Sequence, residues 1–207
     1  HSRILLDNVA KADATVTRKL RAAGGVLMGK LSTHEFALGG PSFDLPFPPA
    51  RNPWNPDHHP GGSSSGSGAA LAAGFVPVAL GTDPGGSGRN PASMCGIVGM
   101  KATYGRVSRA GVIPLSFSLD HVGPMTRTVE DNALLLNIIA GHDPADPASA
   151  RIPALDFAKD LKRGVKGLKI GIVRHFHVRD LPAEADMSQS IEDACKLLTE
   201  LGAEVRE

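Results

Sequence analysis

Serines offer the covalent chemistry in this chain, and they gather in two glycine-rich runs, GGSSSGSG at 61–68 and GTDPGGSGR at 81–89. A serine hydroxyl attacks a carbonyl when a base takes its proton and when backbone N–H groups stabilise the oxyanion that forms. Glycine lets backbone approach a ligand closely. Composition alone reads the first run as a flexible linker. Two such runs at the ends of one short helix-strand unit point instead to a binding site. Three familiar loops do not fit. A Walker-type phosphate loop needs Lys followed by Ser or Thr after its last glycine. A dinucleotide fingerprint needs a strand before its glycines, where this chain has Asp57-His58-His59-Pro60. Residues 62–66 match G-x-S-x-G by letter, but the preceding NPWNPDHHP denies the strand that a nucleophile elbow requires. Asp57, His58 and His59 are metal-ligand types, yet consecutive in a loop they read as solvated surface. His175 and His177 alternate along an expected strand edge and read as exposed.

The elements that must hold these runs follow from apolar spacing. ADATVTRKLRAAGG (12–25) has an N-cap candidate in Asp13, apolar Val16, Leu20 and Ala23 at helical spacing, and stops at Gly24 and Gly25. It predicts a helix leading into a strand, VLMGK (26–30). Proline and glycine make 39–60 an irregular loop anchored by Trp54. SGAALAAGF (67–75) predicts a short helix, VPVALGTD (76–83) a buried strand, and IVGMKATYG (97–105) another strand. TVEDNALLLNIIAG (128–141) starts with Thr128 and Asp131 in capping-box spacing and should bury Leu134, Leu135 and Ile138. LKIGIVR (168–174) reads as a strand and MSQSIEDACKLLTELG (187–202) as an amphipathic helix that runs into a strand barely begun. Helices alternating with strands predict an α/β fold with a mixed β-sheet flanked by helices.

Bulk properties narrow the function classes. In 207 residues, 22 Lys and Arg balance 21 Asp and Glu, and 4% aromatics leave little to stack on bases, so nucleic acid is not the indicated partner. No window holds the ~18 apolar residues of a membrane span, and HSRILLDN lacks a signal-peptide core, so no membrane partner is expected. Cys95 and Cys195 are too few for a disulfide framework and fit a reducing, cytoplasmic setting. The start at His1 and the abrupt end read as truncation at both ends.

PGGSSSGSGAALAAG (60–74) together with the run from VALGTDPGGSGRNPASMCGIVGMKATYG to TVED (78–131) resembles the signature region of the amidase signature family. The likeness extends in register over about 14–141. It implies a partial amidase domain over 1–207, with the signature region at about 61–141. The family cleaves or transfers amide nitrogen with a Ser-cisSer-Lys triad. By that resemblance Ser87 is the nucleophile and Ser63, 24 residues (87 − 63) earlier, is the bridging serine behind a cis peptide bond. Gly85, Gly86 and Ser87 would supply the oxyanion hole near a helix start, while Ser64, Asp83 and Arg89 would support the loops. Pro84 departs from the pattern, because it lacks the N–H that the family uses there. Gly88 departs too, replacing a bulky apolar residue. Lys30 reads as a strand-end residue holding the loop and Lys101 as a structural or substrate-side group, and the catalytic lysine is expected upstream of residue 1. The implied substrate is a small-molecule amide, with no metal and no organic cofactor, and a homodimer is an allowed assembly. The implied activity is carboxamide hydrolysis through an acyl-enzyme. The alternatives are the amidase subunit of a tRNA-dependent amidotransferase, which delivers ammonia to a partner, and a non-catalytic remnant of the fold.

Overall fold

In the computed structural model of the chain, which describes residues 1–153 and 155–207, a three-stranded antiparallel sheet carries both serine loops. Its strands are β1 (Val78–Thr82), β2 (Val98–Gly99) and β3 (Val122–Thr126), in the order β1-β3-β2. Val78 and Val98 both pair with Thr126, one on each side, and Thr82 pairs with Val122. Central β3 is buried at every residue. Side chains alternate along a strand, so positions 122 and 125 face opposite ways. Val122 joins a core with Val16, Val107, Leu135, Leu136 and Ile139, whereas Met125 joins one with Leu71, Ala79 and Ala92. Helices α1 (Thr15–Ala22) and α4 (Val129–Ile139) supply the first core. Helices α2 (Ser65–Ala72) and α3 (Arg89–Cys95) supply the second. The expected α/β architecture, a sheet flanked by helices, is the observed one.

α2 is an unusual helix, because six of its residues are buried and none is bulkier than Leu71. Its glycines allow close approach. A Cβ on Gly66 would stand 2.5 Å from the Ser32 nitrogen, and one on Gly68 would stand 3.1 Å from Pro91 in α3. Packing rather than helix propensity therefore sets this element.

Several local expectations are corrected. Residues 26–30 form no strand; Val26 and Met28 are exposed, and no described strand lies beside them to take their backbone hydrogen bonds. The strand expected over 97–105 shrinks to Val98–Gly99. The N-cap of α1 is Ala14, while Asp13 instead pairs with Arg21 at 3.0 Å. The cap of α4 is as expected, with Thr128 Oγ1 accepting from Asp131 N–H at 3.1 Å. Its buried face is turned by one residue: Leu135, Leu136 and Ile139 are buried, while Leu134 and Ile138 are 49% and 37% exposed. Both sets fit helical spacing, and contact with β3 and α1 selects between them. Trp54 does anchor its loop, donating to the Cys95 carbonyl at 2.8 Å.

Residues 159–207 form a second compact unit. There β4 (Lys169–Gly171) pairs in parallel with β5 (Glu204–Arg206), and α5 (Ala185–Glu200) lies between them in sequence. The parallel pairing expected in the fold is confined to this unit. His175 and His177 lie at and within a π-helical turn, Phe176–Asp180, rather than on a strand edge, because the strand ends earlier than its apolar run. Among the described residues no helix is long and apolar enough to cross a membrane.

Candidate active site

The 61–68 run is pinned on every side. Gly61 takes φ +78, and a Cβ there would stand 2.6 Å from Pro91 Cα, so only glycine fits. The Gly62–Ser63 peptide is cis. Gly62 N–H donates to Asn90 Oδ1 at 3.0 Å, His34 N–H donates to the Ser63 carbonyl at 3.0 Å, and Ser64 N–H donates to the Ser87 carbonyl at 3.1 Å. The last bond joins the two serine loops directly. Ser64 Oγ accepts from Thr82 N–H at 3.1 Å and donates to the Thr82 carbonyl at 3.4 Å, which ties the first loop to the end of β1. A run that reads as a linker by composition is thus a rigid loop, because its small residues let four segments converge on it.

The second loop is organised around Asp83, which is 1% exposed. Its carboxylate accepts from the N–H of Gly86 (2.5 Å), Gly88 (3.3 Å) and Arg89 (3.1 Å), and from Arg89 Nε and Nη2 at 2.8 and 2.9 Å. Burial pushes the Asp83 carboxyl up. The hydrogen bonds and charge of Arg89, with the Gly86 N–H, outweigh it and hold the group below the usual carboxylate range. These bonds also answer where the N–H groups at the start of α3 point: to Asp83, not outward. Gly86 N–H is engaged, while the N–H groups of Gly85 and Ser87 make no hydrogen bond to any described group. Pro84 has none to give.

A cleft of about 380 Å³ opens between the loops, lined by Ser63, Ser87, Pro84, Gly85, Asn90, Leu115 and the segment around His34, with His59 at its edge. Ser63 is 3% exposed, and its Oγ has no hydrogen-bond partner among the described residues. Ser64, Asp83, Gly86 and Arg89 lie outside the lining and act on its walls. Among the described residues no lysine lines the cleft. Lys30 is exposed and follows no strand, contrary to its expected place at a strand end. Lys101 Nζ bonds to the Ala102 carbonyl at 3.3 Å and approaches His121 Nε2 at 3.4 Å.

Among the polar side chains lining the cleft, sequence reasoning missed His34, His59 and Asn90. His34 lies 29 residues before Ser63 (63 − 34), in the segment MGKLSTHEFA (28–37) that drew attention only for Lys30, and Asn90 was hidden inside the signature run. His59 is exposed, as a solvated surface residue should be, but it also lines the cleft, and its Nδ1 accepts from Gly61 N–H at 3.0 Å. The signal that could have found His34 is indirect: Gly62 must be glycine because the His34 ring fills its side-chain space, with Cε1 2.0 Å from where a Cβ would be.

The Amidase family model matches residues 2–207. The glutamyl-tRNA(Gln) amidotransferase A subunit from Trichlorobacter lovleyi is 52% identical over 201 residues, covering 97% of this chain and 41% of that protein. The crystal structure of the same-named subunit from Thermotoga maritima superposes with TM-score 0.91 at 45% identity, over 99% of this chain and 44% of that one. Peptide amidase from Stenotrophomonas maltophilia gives TM-score 0.85 at 38% identity, over 98% and 42%. The chain therefore spans less than half the length of these relatives.

Proposed function

The chain belongs to the Amidase family, and from that premise we propose that the protein it represents cleaves a primary carboxamide through an acyl-enzyme at Ser87 and works as the amidase subunit of a glutamyl-tRNA(Gln) amidotransferase. The observation that carries the chemistry is the buried, unpartnered Ser63 Oγ on the wall of the same cleft as Ser87, in a loop hydrogen-bonded to the Ser87 carbonyl. In this reading Ser87 Oγ attacks the carboxamide carbon, and its proton passes through Ser63 Oγ to a neutral lysine amine. The tetrahedral oxyanion is held by the free N–H groups of Gly85 and Ser87. Collapse breaks the C–N bond, the proton returns through Ser63 to the nitrogen, and ammonia leaves. Water then attacks the acyl ester, releasing the carboxylic acid and restoring Ser87. Among the described residues no lysine lines the cleft, and this reading assigns the base to a lysine outside these 207 residues.

The amidotransferase reading is favoured over a free-standing amidase by the identities, 52% and 45% to the two amidotransferase relatives against 38% to a peptide amidase. In that role the ammonia is passed to another subunit rather than released. The test uses the full-length parent. A fluorophosphonate probe should label Ser87, Ser87→Ala should abolish labelling, and ammonia should form from one of L-glutamine, L-asparagine or propionamide. Transfer of that nitrogen to Glu-tRNA(Gln) in the presence of partner subunits is the further expectation. An unlabelled parent would instead mean a non-catalytic remnant, and hydrolysis without any transfer would return the reading to a simple amidase.

A further inference from the structure

The cleft has a polar wall that the serine chemistry leaves unused. His34 is 5% exposed, and its partner determines its tautomer. The Gly39 carbonyl only accepts, so the 2.7 Å contact to Nδ1 puts the proton on Nδ1 and leaves Nε2 a bare acceptor when the ring is neutral. That Nε2 is buried and makes no hydrogen bond to any described group. It lies 2.5 Å from where a Cβ on Gly62 would stand, beside the residue preceding Ser63. Two unpartnered buried polar atoms, Ser63 Oγ and His34 Nε2, thus share one wall of the cleft that also holds Ser87. Buried polar groups in folded proteins are nearly always paired, so an orphaned acceptor on a residue that lines a cleft points to a donor on what the cleft binds. The ring of His59 lies 5.7 Å from that of His34, and its Nδ1 accepts from Gly61 N–H. Desolvation and then His34 lower the His59 pKa, so the neighbouring imidazole brings no positive charge to repel a donor at neutral pH.

We propose that His34 determines specificity for amides: its bare Nε2 accepts one N–H of the scissile carboxamide and holds the leaving nitrogen beside Ser63 Oγ. The assignment rests on the reading of Ser87 and Ser63 given above. On this assignment a substrate with an NH2 group at the scissile carbon should bind better than its methyl ester, which has no N–H to offer. The loop itself is held to His34 through the main-chain N–H, a bond that survives any non-proline substitution at this position.

The experiment compares the full-length parent with His34→Asn and His34→Gln on two substrates, the best-cleaved carboxamide of the three named above and its methyl ester. Asn keeps a donor for the Gly39 carbonyl but has no atom at the Nε2 position, whereas Gln can place an acceptor there. His34→Asn should raise KM for the carboxamide about 3–10-fold, the value of one hydrogen bond, while KM for the ester stays within about twofold. His34→Gln should recover part of the carboxamide loss. Fluorophosphonate labelling, which needs no N–H, should persist in both. Equal losses on amide and ester, or a better His34→Asn than His34→Gln on the amide, would overturn the assignment. Loss of labelling in His34→Asn would do so too, since the ring would then be holding the loop. An unlabelled parent would overturn the Ser87 reading and this assignment together.

Discussion

Replacing Asp83 by Asn isolates what holds the nucleophile turn. The carboxylate accepts five hydrogen bonds from Gly86, Gly88 and Arg89, and an amide has only one oxygen to offer them. Kept at Oδ2, that oxygen still serves Gly88, Arg89 N–H and Arg89 Nε, but Gly86 N–H and Arg89 Nη2 then face an NH2 group. The opposite orientation strands three donors instead of two. Hydrogen bonds to a charged group are worth about 1.5–3 kcal/mol each. The Arg89 side chain is 50% exposed, so its share is discounted for water and salt. Asp83→Asn should then cost about 2–4 kcal/mol, read as a fall in the urea midpoint of the full-length parent at unchanged m. The Gly86–Ser87 turn loses its tether as well, so fluorophosphonate labelling should slow at least about tenfold, if the turn must stay ordered for Ser87 to react. The pH dependence has a definite sign. The folded carboxyl is held low, so its contribution is present at neutral pH and lost as pH falls through the depressed pKa. Asp83→Asn should remove that acid-labile share. A variant within about 0.5 kcal/mol of the parent and labelled at the parental rate would refute the tether.

Gly62→Ala should abolish labelling and cost at least about 1–3 kcal/mol, because the new Cβ would stand 2.0 Å from His34 Cε1 in a packed wall; a fully labelled variant would mean that the ring moves aside. Lys30→Met should keep most of the parent's ammonia release, since Lys30 is exposed and lines no part of the cleft, and a loss beyond about tenfold would make Lys30 the base. Asp143 is held down to about 2 by hydrogen bonds from Ser108 and Thr15, with Ala145 N–H adding to them. Its stabilisation is complete above its ordinary value of 3.8 and lost as pH falls through about 2, and Ser108→Ala should shrink the acid-induced drop in urea midpoint over that window.

Much of the site was legible in the sequence because it is local in the chain. The glycine clusters around Ser63 and Ser87 announce close backbone approach, the 24-residue spacing (87 − 63) carries the family resemblance, and Thr128 with Asp131 marks the start of a helix through contacts only three residues apart. The α/β class followed from apolar spacing, a property that each element holds by itself. What the tertiary structure alone decided are the choices that depend on a distant partner. The apolar run of α4 fits two faces equally, and β3 and α1 pick Leu135, Leu136 and Ile139. Residues 26–30 have strand composition, but pairing requires a neighbour's free edge, and no described strand provides one. That the Gly86 N–H bonds to Asp83 depends on how the turn closes. His34 shows the limit most plainly: its segment MGKLSTHEFA does not mark the histidine as a cleft residue, and it enters the site only because a glycine 28 residues away (62 − 34) leaves room for an imidazole ring. A side chain's partners across such a gap are set by how loops pack, and loop packing leaves no periodicity in the sequence to read.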